Sequence, residues 1–220
     1  MIPKIIHYCW FGHGRKSKEI ETYINTWKKI LPDYQIIEWN ESNFPYKKWI
    51  FCREAYAVKS YAFVADVCRL YALNEMGGIY LDTDVEVLKS FNPYLHLGSF
   101  VSEEDENKIG TACIGARKGT TWIKDFLDYY DNRHFINWKG RLMSFANTDI
   151  LKEILAGRLE QPQIYPIDFF CGKLYSTGQL VVTENTVCIH HYDASWFKPV
   201  SIKNRLSNLI NRVKLELSSD

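Results

Sequence analysis

The stretch from Ala62 to Val87 constrains the fold more than any other part of the chain. Its first half is apolar on every side except at two charged residues, Asp66 and Arg69. A helix that is apolar all round is a buried helix, and ionised side chains inside a core are costly unless they are paired. Asp66 and Arg69 are three residues apart, so they share one face of a helix. The sequence therefore predicts a buried helix that contains an ion pair.

The end of this helix and the strand after it are both marked in the sequence. Gly77 and Gly78 follow the apolar run, and glycine readily takes the left-handed conformation that ends a helix. The next run, Ile79 to Leu81, is short and β-prone, which predicts a core strand. Two carboxylates, Asp82 and Asp84, come directly out of that strand. We expect both to face one cavity if the backbone turns there.

A pair of facing carboxylates has a defined chemistry. The two groups repel, raise each other's pKa and attract a cation. Two oxygen ligands suit a hard divalent ion, Mn²⁺ or Mg²⁺, better than zinc. The D-x-D pattern alone is often only a surface turn, where aspartate is common. In this chain a buried helix, a glycine pair and a strand all lead to the same two acids, which favours a metal site.

Seven residues of this stretch have the spacing of a known family: Asp66, Arg69, Gly77, Gly78, Tyr80, Asp82 and Asp84. The stretch resembles the sugar-binding D-x-D region of the family 32 glycosyltransferases, which include bacterial capsular-polysaccharide enzymes and yeast mannosyltransferases. The resemblance implies an α/β fold of the GT-A type, a Rossmann-like mixed sheet flanked by helices, as a single domain over residues 1–200. It also implies metal-dependent, retaining transfer of a sugar from a nucleotide-diphosphate sugar, expected to be a UDP-sugar. The expected acceptor is a glycan or a lipid-linked glycan in polysaccharide synthesis.

The same resemblance implies roles for residues around the D-x-D motif. Asp84 would bind the metal that bridges to the diphosphate, and Asp82 would hold the ribose or the sugar hydroxyls. Asp66 and Arg69 would orient the donor sugar, with Arg69 also balancing the carboxylates. Tyr80 is expected among the donor-binding residues. The sequence offers no obvious third carboxylate for a general base, and the family's retaining chemistry does not require one.

The N-terminus carries a second candidate binding feature. The run from Ile2 to Trp10 is β-rich and ends in a glycine loop, which is where a nucleotide commonly docks in an α/β protein. The resemblance continues here and implies that Trp10 stacks on the nucleobase, while backbone near Tyr8 and Phe11 reads its edge. A core position for Trp10 is the alternative, and His7 is expected to be a buried structural histidine.

A third feature lies near the C-terminus. Val187 to Ile189 predicts a core strand that ends in His190 and His191. Adjacent residues on a strand point to opposite faces, so only one imidazole can face the cavity, and imidazole is a common metal ligand. The resemblance implies that one histidine completes the metal shell and that Ser195 and Trp196 touch the diphosphate. We favour His191, with His190 as the alternative.

The remaining sequence supplies the other elements of a parallel sheet. A helix over Lys18 to Leu31 followed by a strand over Tyr34 to Trp39 predicts a β-α-β unit. The acids from Glu103 to Glu106 indicate a solvated loop. Further expectations are a helical region at 46–59, a helix at 122–130, a helix capped by Asn147 or Thr148, and strands at 110–116, 163–170 (with a bend) and 180–183.

Composition limits partners and compartment. A formal net charge of +1 gives no reason to expect a nucleic-acid partner. The six cysteines are scattered without a C-x-x-C pair, which indicates free core thiols in the cytoplasm. No stretch is long enough to span a bilayer. Residues 201–220 predict a basic amphipathic helix that lies either on the protein core or, peripherally, on the inner face of the cell membrane.

Two other functions remain compatible with the D-x-D motif. One is a non-catalytic module that binds nucleotide sugars or glycans, which the sequence does not separate from an enzyme. The other is an aspartyl phosphatase, in which the two aspartates follow the first strand. Here they lie in the middle of the chain, and Glu86 stands where those enzymes have Thr or Val.

Overall fold

The computed structural model describes residues 1–143, 145–193 and 202–217, with side chains described over 207–215 of the last segment. The strands are β1 (Ile5–Cys9), β2 (Gln35–Trp39), β3 (Gly78–Leu81), β4 (Val85–Val87), β5 (Ser99–Asp105), β6 (Lys108–Ile109), β7 (Cys113–Ala116), β8 (Gln163–Tyr165) and β9 (Cys188–His190). The helices are α1 (Lys18–Ile30), α2 (Ile50–Ala57), α3 (Tyr61–Met76), α4 (Thr121–Asp128), α5 (Asn147–Leu155), α6 (Ile167–Phe170) and α7 (Ile202–Leu217).

The strands form one large mixed sheet and one small one. The large sheet has the order β2-β1-β3-β7-β5-β6, and β8 pairs with β5. β1 runs parallel to both β2 and β3, whereas β7 is antiparallel to β3. β4 and β9 form a separate antiparallel pair. The predicted β-α-β unit and the predicted mixed α/β sheet are confirmed.

Helix α1 packs against the small sheet and is hydrogen-bonded to it. It begins at Ser17, whose side chain accepts a hydrogen bond from the backbone N–H of Ile20, and its buried face includes Ile24 and Trp27. The indole N–H of Trp27 donates to the carbonyl oxygen of Val85 at 2.7 Å. This bond joins α1 to the first residue of β4, directly after the D-x-D motif.

The buried helix of the sequence analysis is α3, and it ends as predicted. Gly77 and Gly78 both have positive φ, at 65° and 117°. A Cβ atom at Gly78 would lie 2.7 Å from the carbonyl oxygen of Ile5 and 2.9 Å from Nε2 of His7. His7 is fully buried, and its Nε2 lies 2.8 Å from the Gly77 carbonyl oxygen. The close approach of β1 to the start of β3 therefore requires glycine, and the structural role predicted for His7 is confirmed.

Three local predictions are wrong. The acids from Glu103 to Glu106 do not form a solvated loop, because β5 continues to Asp105. Residues 180–183 do not form a strand; the only ladder contact there among the described residues is a single bridge from Leu180 to Lys173. Helix α5 is capped by Ala146 without a side-chain hydrogen bond. The side chain of Asn147 is buried and instead accepts a hydrogen bond from the Tyr130 hydroxyl. The six cysteines are free and buried, as predicted.

Helix α7 contacts the protein through part of its surface. The Asn208 side chain donates to the Gly140 carbonyl oxygen at 3.3 Å, and Arg212 donates to the Ile136 carbonyl oxygen at 2.9 Å. Ile210 and Val213 on the same helix are about half exposed. Within the described part of the chain, no helix has the length and apolar character needed to cross a membrane.

Replacing Gly78 by alanine tests the close approach between β1 and β3. The left-handed backbone costs ~1–2 kcal/mol for a residue with a Cβ atom, and overpacking adds ~1–3 kcal/mol. Gly119→Ala is the matched control, because Gly119 also has a positive φ of 80° but no atom within 4 Å of the added Cβ. In urea unfolding we expect Gly78→Ala to lose clearly more stability than Gly119→Ala. Equal losses would mean that β1 does not restrict this position.

Candidate active site

The D-x-D motif occupies a turn between the two sheets. The backbone N–H of Asp82 donates to the Ala112 carbonyl oxygen at 2.8 Å, and that of Val85 donates back to the Asp82 carbonyl oxygen at 3.1 Å. Val85 then pairs with His190 across the small sheet. Ligand atoms of Asp82, Asp84 and His190 consequently lie within 4.8 Å of one another. The turn and the strand pairing together assemble a three-residue cluster from distant parts of the sequence.

Asp84 and His190 form an ion pair inside this cluster. Their Oδ1 and Nε2 atoms are 3.4 Å apart, and the backbone N–H of Asp193 donates to Oδ2 of Asp84 at 2.9 Å. Burial acts to raise the pKa of Asp84, but His190 and the Asp193 N–H outweigh it and lower that pKa to about 2. Burial acts to lower the pKa of His190, but Asp84, together with the Cys171 thiol and the charge of Asp82, outweighs it and raises that pKa to about 10. Both groups are therefore charged at neutral pH.

Arg69 connects helix α3 to the D-x-D turn. Its Nη2 atom lies 2.8 Å from Oδ1 of Asp66 and 3.2 Å from Oδ1 of Asp82. Its Nη1 atom donates to the carbonyl oxygen of Thr111 at 2.7 Å. The guanidinium lies over the Tyr80 ring, 4.6 Å from its centroid, and the Tyr80 hydroxyl donates to Asp82 at 2.8 Å. The predicted Asp66–Arg69 pair is confirmed, and it extends to the first aspartate of the motif.

Burial shapes the charge of the two aspartates that contact Arg69. Desolvation raises the pKa of Asp66 to about 6, with the Arg69 charge opposing the rise and Asp82 adding to it. Desolvation also raises the pKa of Asp82, again opposed by Arg69 and assisted by Asp84. The guanidinium side chain is only 6% exposed. Without that cation Asp66 would lose the positive charge that opposes its rise in pKa, and Asp82 would keep only the smaller effects of His190 and of the Tyr80 hydroxyl.

The two adjacent histidines point in opposite directions, as strand alternation predicts. The structure places His190, and not the favoured His191, beside the aspartates. The His191 ring stacks on Tyr23 at a centroid distance of 4.5 Å, and its Nε2 lies 3.0 Å from Oε2 of Glu86. β9 ends at His190 in register with Val85, and this register decides which imidazole faces the motif. The geometry therefore corrects our preference for His191.

A third carboxylate, missed in the sequence, lies close to the cluster. Glu104 on β5 is largely buried, and desolvation raises its pKa to about 7 while the charge of His190 opposes the rise. Its face of the strand also carries Phe100 and Ser102, which are buried. Alternation along Ser99–Asp105 was the available signal, but the run of four acids concealed it.

The groove beside the ends of β1 and β2 is open and polar. It has a volume of about 510 Å³, and its lining includes Trp10, Lys16 and Glu38. The indole N–H of Trp10 donates to the Gly14 carbonyl oxygen at 2.6 Å, and the Lys16 ammonium lies 5.2 Å from the ring centroid. Lys16 also pairs with Glu38 at 2.7 Å. Trp10 thus lines a groove and is not a core residue.

The other predicted donor-binding residues have mixed placements. Tyr8 donates to Glu38 at 2.6 Å, so its hydroxyl lies beside the groove. The Phe11 side chain is buried against Phe44, which leaves only its backbone available for a nucleobase. Ser195 and Trp196 lie outside the described residues.

The mixed sheet flanked by helices is shared with solved glycosyltransferases. The chain is similar to PaToxG glycosyltransferase, with 21% identity and a TM-score of 0.52, over 70% of this chain and 68% of that one. It is also similar to a glycosyltransferase involved in the glycosylation of the major capsid of PBCV-1, with 10% identity and a TM-score of 0.52 over 97% and 100% of the two chains. The fold is that of a GT-A glycosyltransferase domain.

Residues 17–101 match a family model described as the glycosyltransferase sugar-binding region containing the DXD motif. The chain is 30% identical over 134 residues to inositol phosphoceramide mannosyltransferase 3 of Schizosaccharomyces pombe, covering 56% of this chain and 35% of that protein. The matches span between 24% and 57% of the length of the curated relatives. The family match over residues 17–101 includes α3, the glycine pair and both aspartates of the motif.

The cluster has the donor set of a divalent metal site. Two carboxylates and an imidazole can each offer one ligand atom, and oxygen with imidazole nitrogen suits Mn²⁺ and also other divalent ions. The Asp193 N–H donates to Oδ2 of Asp84, and Arg69 pairs with Oδ1 of Asp82. Both carboxylates are therefore already oriented. Asp82, Asp84 and His190 are the residues that fit a bound ion.

Arg69→Ala is expected to destabilise the domain strongly. Removing one partner of a buried ion pair costs ~3–5 kcal/mol because the remaining charge is stranded. Lys124→Ala is the control, since Lys124 forms an exposed i,i+4 pair with Asp128 of the kind worth ~0.3–0.5 kcal/mol. Chemical denaturation measures both. A stable Arg69→Ala protein would show that Asp66 and Asp82 are well solvated.

His190→Ala and His191→Ala separate the two histidines. If His190 is a ligand, we expect its removal to weaken Mn²⁺ affinity by ~10–100-fold or more. His191→Ala should leave the affinity unchanged, because that ring contacts Glu86 and Tyr23. Titration calorimetry with Mn²⁺ alone measures both variants. The opposite result would return the ligand role to His191.

Proposed function

We propose that this domain is a metal-dependent, retaining glycosyltransferase that uses a nucleoside-diphosphate sugar, with UDP-sugars as the first candidates. The observation that carries the proposal is the cluster of Asp82, Asp84 and His190 next to the buried Asp66–Arg69 pair. The match over residues 17–101 supports the sugar-binding part of the assignment.

The donor would lie across the ends of β1 and β3. Its nucleobase would stack on Trp10 in the open groove, with the Lys16 ammonium nearby. Its diphosphate would reach the D-x-D turn, because β1 and β3 are neighbouring parallel strands. Supporting this arrangement, ligands in α/β sheets bind beyond the carboxyl ends of the strands.

The residues in and around the cluster would have different roles in binding the ion and the donor. Asp82, Asp84 and His190 would hold the ion. Mn²⁺ or Mg²⁺ bound there would neutralise charge on the departing nucleoside diphosphate. Arg69 holds Asp66 and Asp82 in place, so these two carboxylates could accept hydrogen bonds from hydroxyls of the donor.

Transfer with retention of the anomeric configuration needs no protein base in this scheme. The bond from the sugar C1 to the phosphate oxygen breaks, and a bond from C1 to the acceptor oxygen forms on the same face. The proton of the acceptor hydroxyl goes to the departing phosphate oxygen. Glu104 is not assigned as a base or nucleophile, because it lines a cavity of only about 10 Å³ together with His190, with no room for a sugar.

We further propose a glycan or lipid-linked acceptor, as in polysaccharide synthesis of the bacterial capsular type, and a cytoplasmic enzyme that works peripherally at the inner face of the cell membrane. A relative named as an inositol phosphoceramide mannosyltransferase supports an acceptor attached to lipid. The partly exposed Ile210 and Val213 of α7 support contact with a membrane surface. Binding to vesicles of anionic lipid, with and without residues 202–220, tests the attachment.

A panel of nucleotide sugars tests the proposed function. Thermal shift with Mn²⁺ identifies the donor, since a ligand that binds the folded state raises the melting temperature. Donor hydrolysis or transfer then distinguishes an enzyme from a sugar-binding module. We expect Asp84→Ala to abolish activity while the fold remains intact, because His190, on losing its partner Asp84, can release its proton and so avoid remaining a buried charge. Metal-independent activity in this variant would refute the assignment of Asp84.

Trp10→Ala tests the nucleobase position. Stacking of a base on an aromatic ring is worth ~1–3 kcal/mol, so the affinity for the nucleotide should fall about ten- to a hundredfold. The loss should be the same for the free nucleoside diphosphate and for the full donor. Trp138→Ala is the control, because Trp138 is a 73% exposed tryptophan away from the groove lining. Unchanged affinity in Trp10→Ala would exclude stacking on this residue.

A further inference from the structure

A small cavity lies behind the candidate metal site. Its volume is about 10 Å³, and its lining includes His190, Glu104, Cys171 and Gly110. A polar cavity needs roughly 10–15 Å³ of such volume to hold one water molecule. The cavity is therefore the size of a single water and too small for any substrate group.

His190 leaves one ring nitrogen without a partner at this place. Its Nε2 lies 3.4 Å from Asp84, whereas Nδ1 is buried and has no hydrogen-bond partner among the described residues. Unpaired buried polar atoms are rare and indicate an ordered water or another missing partner. A histidine that binds metal through one nitrogen normally donates its other N–H to a carboxylate, a carbonyl or water.

The polar side chains around the cavity differ in how many further hydrogen bonds they can accept. The Cys171 sulfur contacts the Lys173 carbonyl oxygen at 3.3 Å and the Tyr192 hydroxyl at 2.9 Å. The Cys171 thiol also lies near the His190 ring and helps to raise the pKa of His190, but it makes no hydrogen bond of good geometry to Nδ1. The Ser102 hydroxyl donates to the Glu103 carbonyl oxygen at 2.8 Å. No direct hydrogen bond or ion pair of the Glu104 carboxyl group occurs within residues 1–143 and 145–193. Glu104 is thus the side chain with the most unused hydrogen-bonding capacity.

Glycine at position 110 keeps the space beside that carboxyl group open. A Cβ atom there would lie 3.1 Å from Cβ of Glu104 and 3.4 Å from its Oε2 atom. Because Gly110 has no Cβ atom, the Glu104 side chain has room beside the cavity, which His190 also lines.

We propose that one water molecule in this cavity bridges Nδ1–H of His190 to the Glu104 carboxyl group, and that Glu104 is a positioning residue for metal binding. When an ion displaces the proton that the imidazolium shares with Asp84, the bridge would keep the remaining proton on Nδ1 and so leave the lone pair of Nε2 for the ion. The inference rests on the metal site of the proposed function, and it gives the third carboxylate a role outside the chemical step.

Mn²⁺ affinity tests the bridge. Glu104→Leu removes the acceptor, and we expect Mn²⁺ to bind ~10–100-fold more weakly, on the scale of changes around a metal ligand. Glu104→Gln keeps an acceptor for the water and should restore most of the affinity. Glu106→Gln is the control, because that side chain is exposed just beyond the same strand and does not line the cavity. Unchanged Mn²⁺ affinity in a folded Glu104→Leu protein would overturn the proposal.

Two direct observations remain informative if Glu104→Leu does not fold. A crystal structure that resolves ordered water should show one molecule within hydrogen-bonding distance of Nδ1 and Glu104, whereas an empty cavity would contradict the bridge. Nitrogen-15 NMR of the Mg²⁺-loaded protein should show the His190 proton on Nδ1, and a proton on Nε2 would also contradict it. Asp84→Ala separates the two hypotheses. If Asp84→Ala binds Mn²⁺ as tightly as the parent protein, the proposed metal site is wrong. If Asp84→Ala weakens Mn²⁺ binding but Glu104→Leu does not, only the proposed water bridge is wrong.

Discussion

The buried guanidinium of Arg69 is the interaction on which the rest of the site depends. It contacts Asp66 on its own helix, Asp82 at the D-x-D turn and the Thr111 carbonyl oxygen next to β7. A cation inside a core is tolerated only when several acceptors surround it. These acceptors come from three separate segments, so satisfying one charge forces the segments together. The ring of Tyr80 completes the surroundings of the cation.

The candidate metal cluster is built by a second constraint, the pairing of β4 with β9. The register places Val85 opposite His190, and the Trp27 indole holds the same strand through the Val85 carbonyl oxygen. The position of each carboxylate then determines the direction of its pKa shift. His190 lowers the pKa of Asp84, while burial raises the pKa of Asp66 despite the nearby Arg69. Carboxylates close together thus acquire different proton affinities.

The sequence was most informative where one residue pattern has one physical solution. An apolar helix containing Asp66 and Arg69 has to pair them, and Gly78 has to be glycine because a Cβ would meet the Ile5 carbonyl oxygen. The sequence was misleading where a residue type has several solutions. Four consecutive acids indicated a loop, yet β5 includes Glu104 and buries it beside His190. The sequence predicts Asn147 or Thr148 as a helix cap, yet the cap is Ala146 and the Asn147 side chain bonds to Tyr130.

The sequence by itself determined the buried helix, the glycine stop, the strand and the two aspartates, because these depend on local spacing and on the cost of burying charge. It also determined that His190 and His191 face opposite ways, since alternation is a property of any strand. Only the tertiary structure decided which of the two faces Asp84. That choice depends on the register between β9 and β4, which are about a hundred residues apart. A shift of one residue in register reverses every side chain on a strand, and nothing in the local sequence encodes the partner.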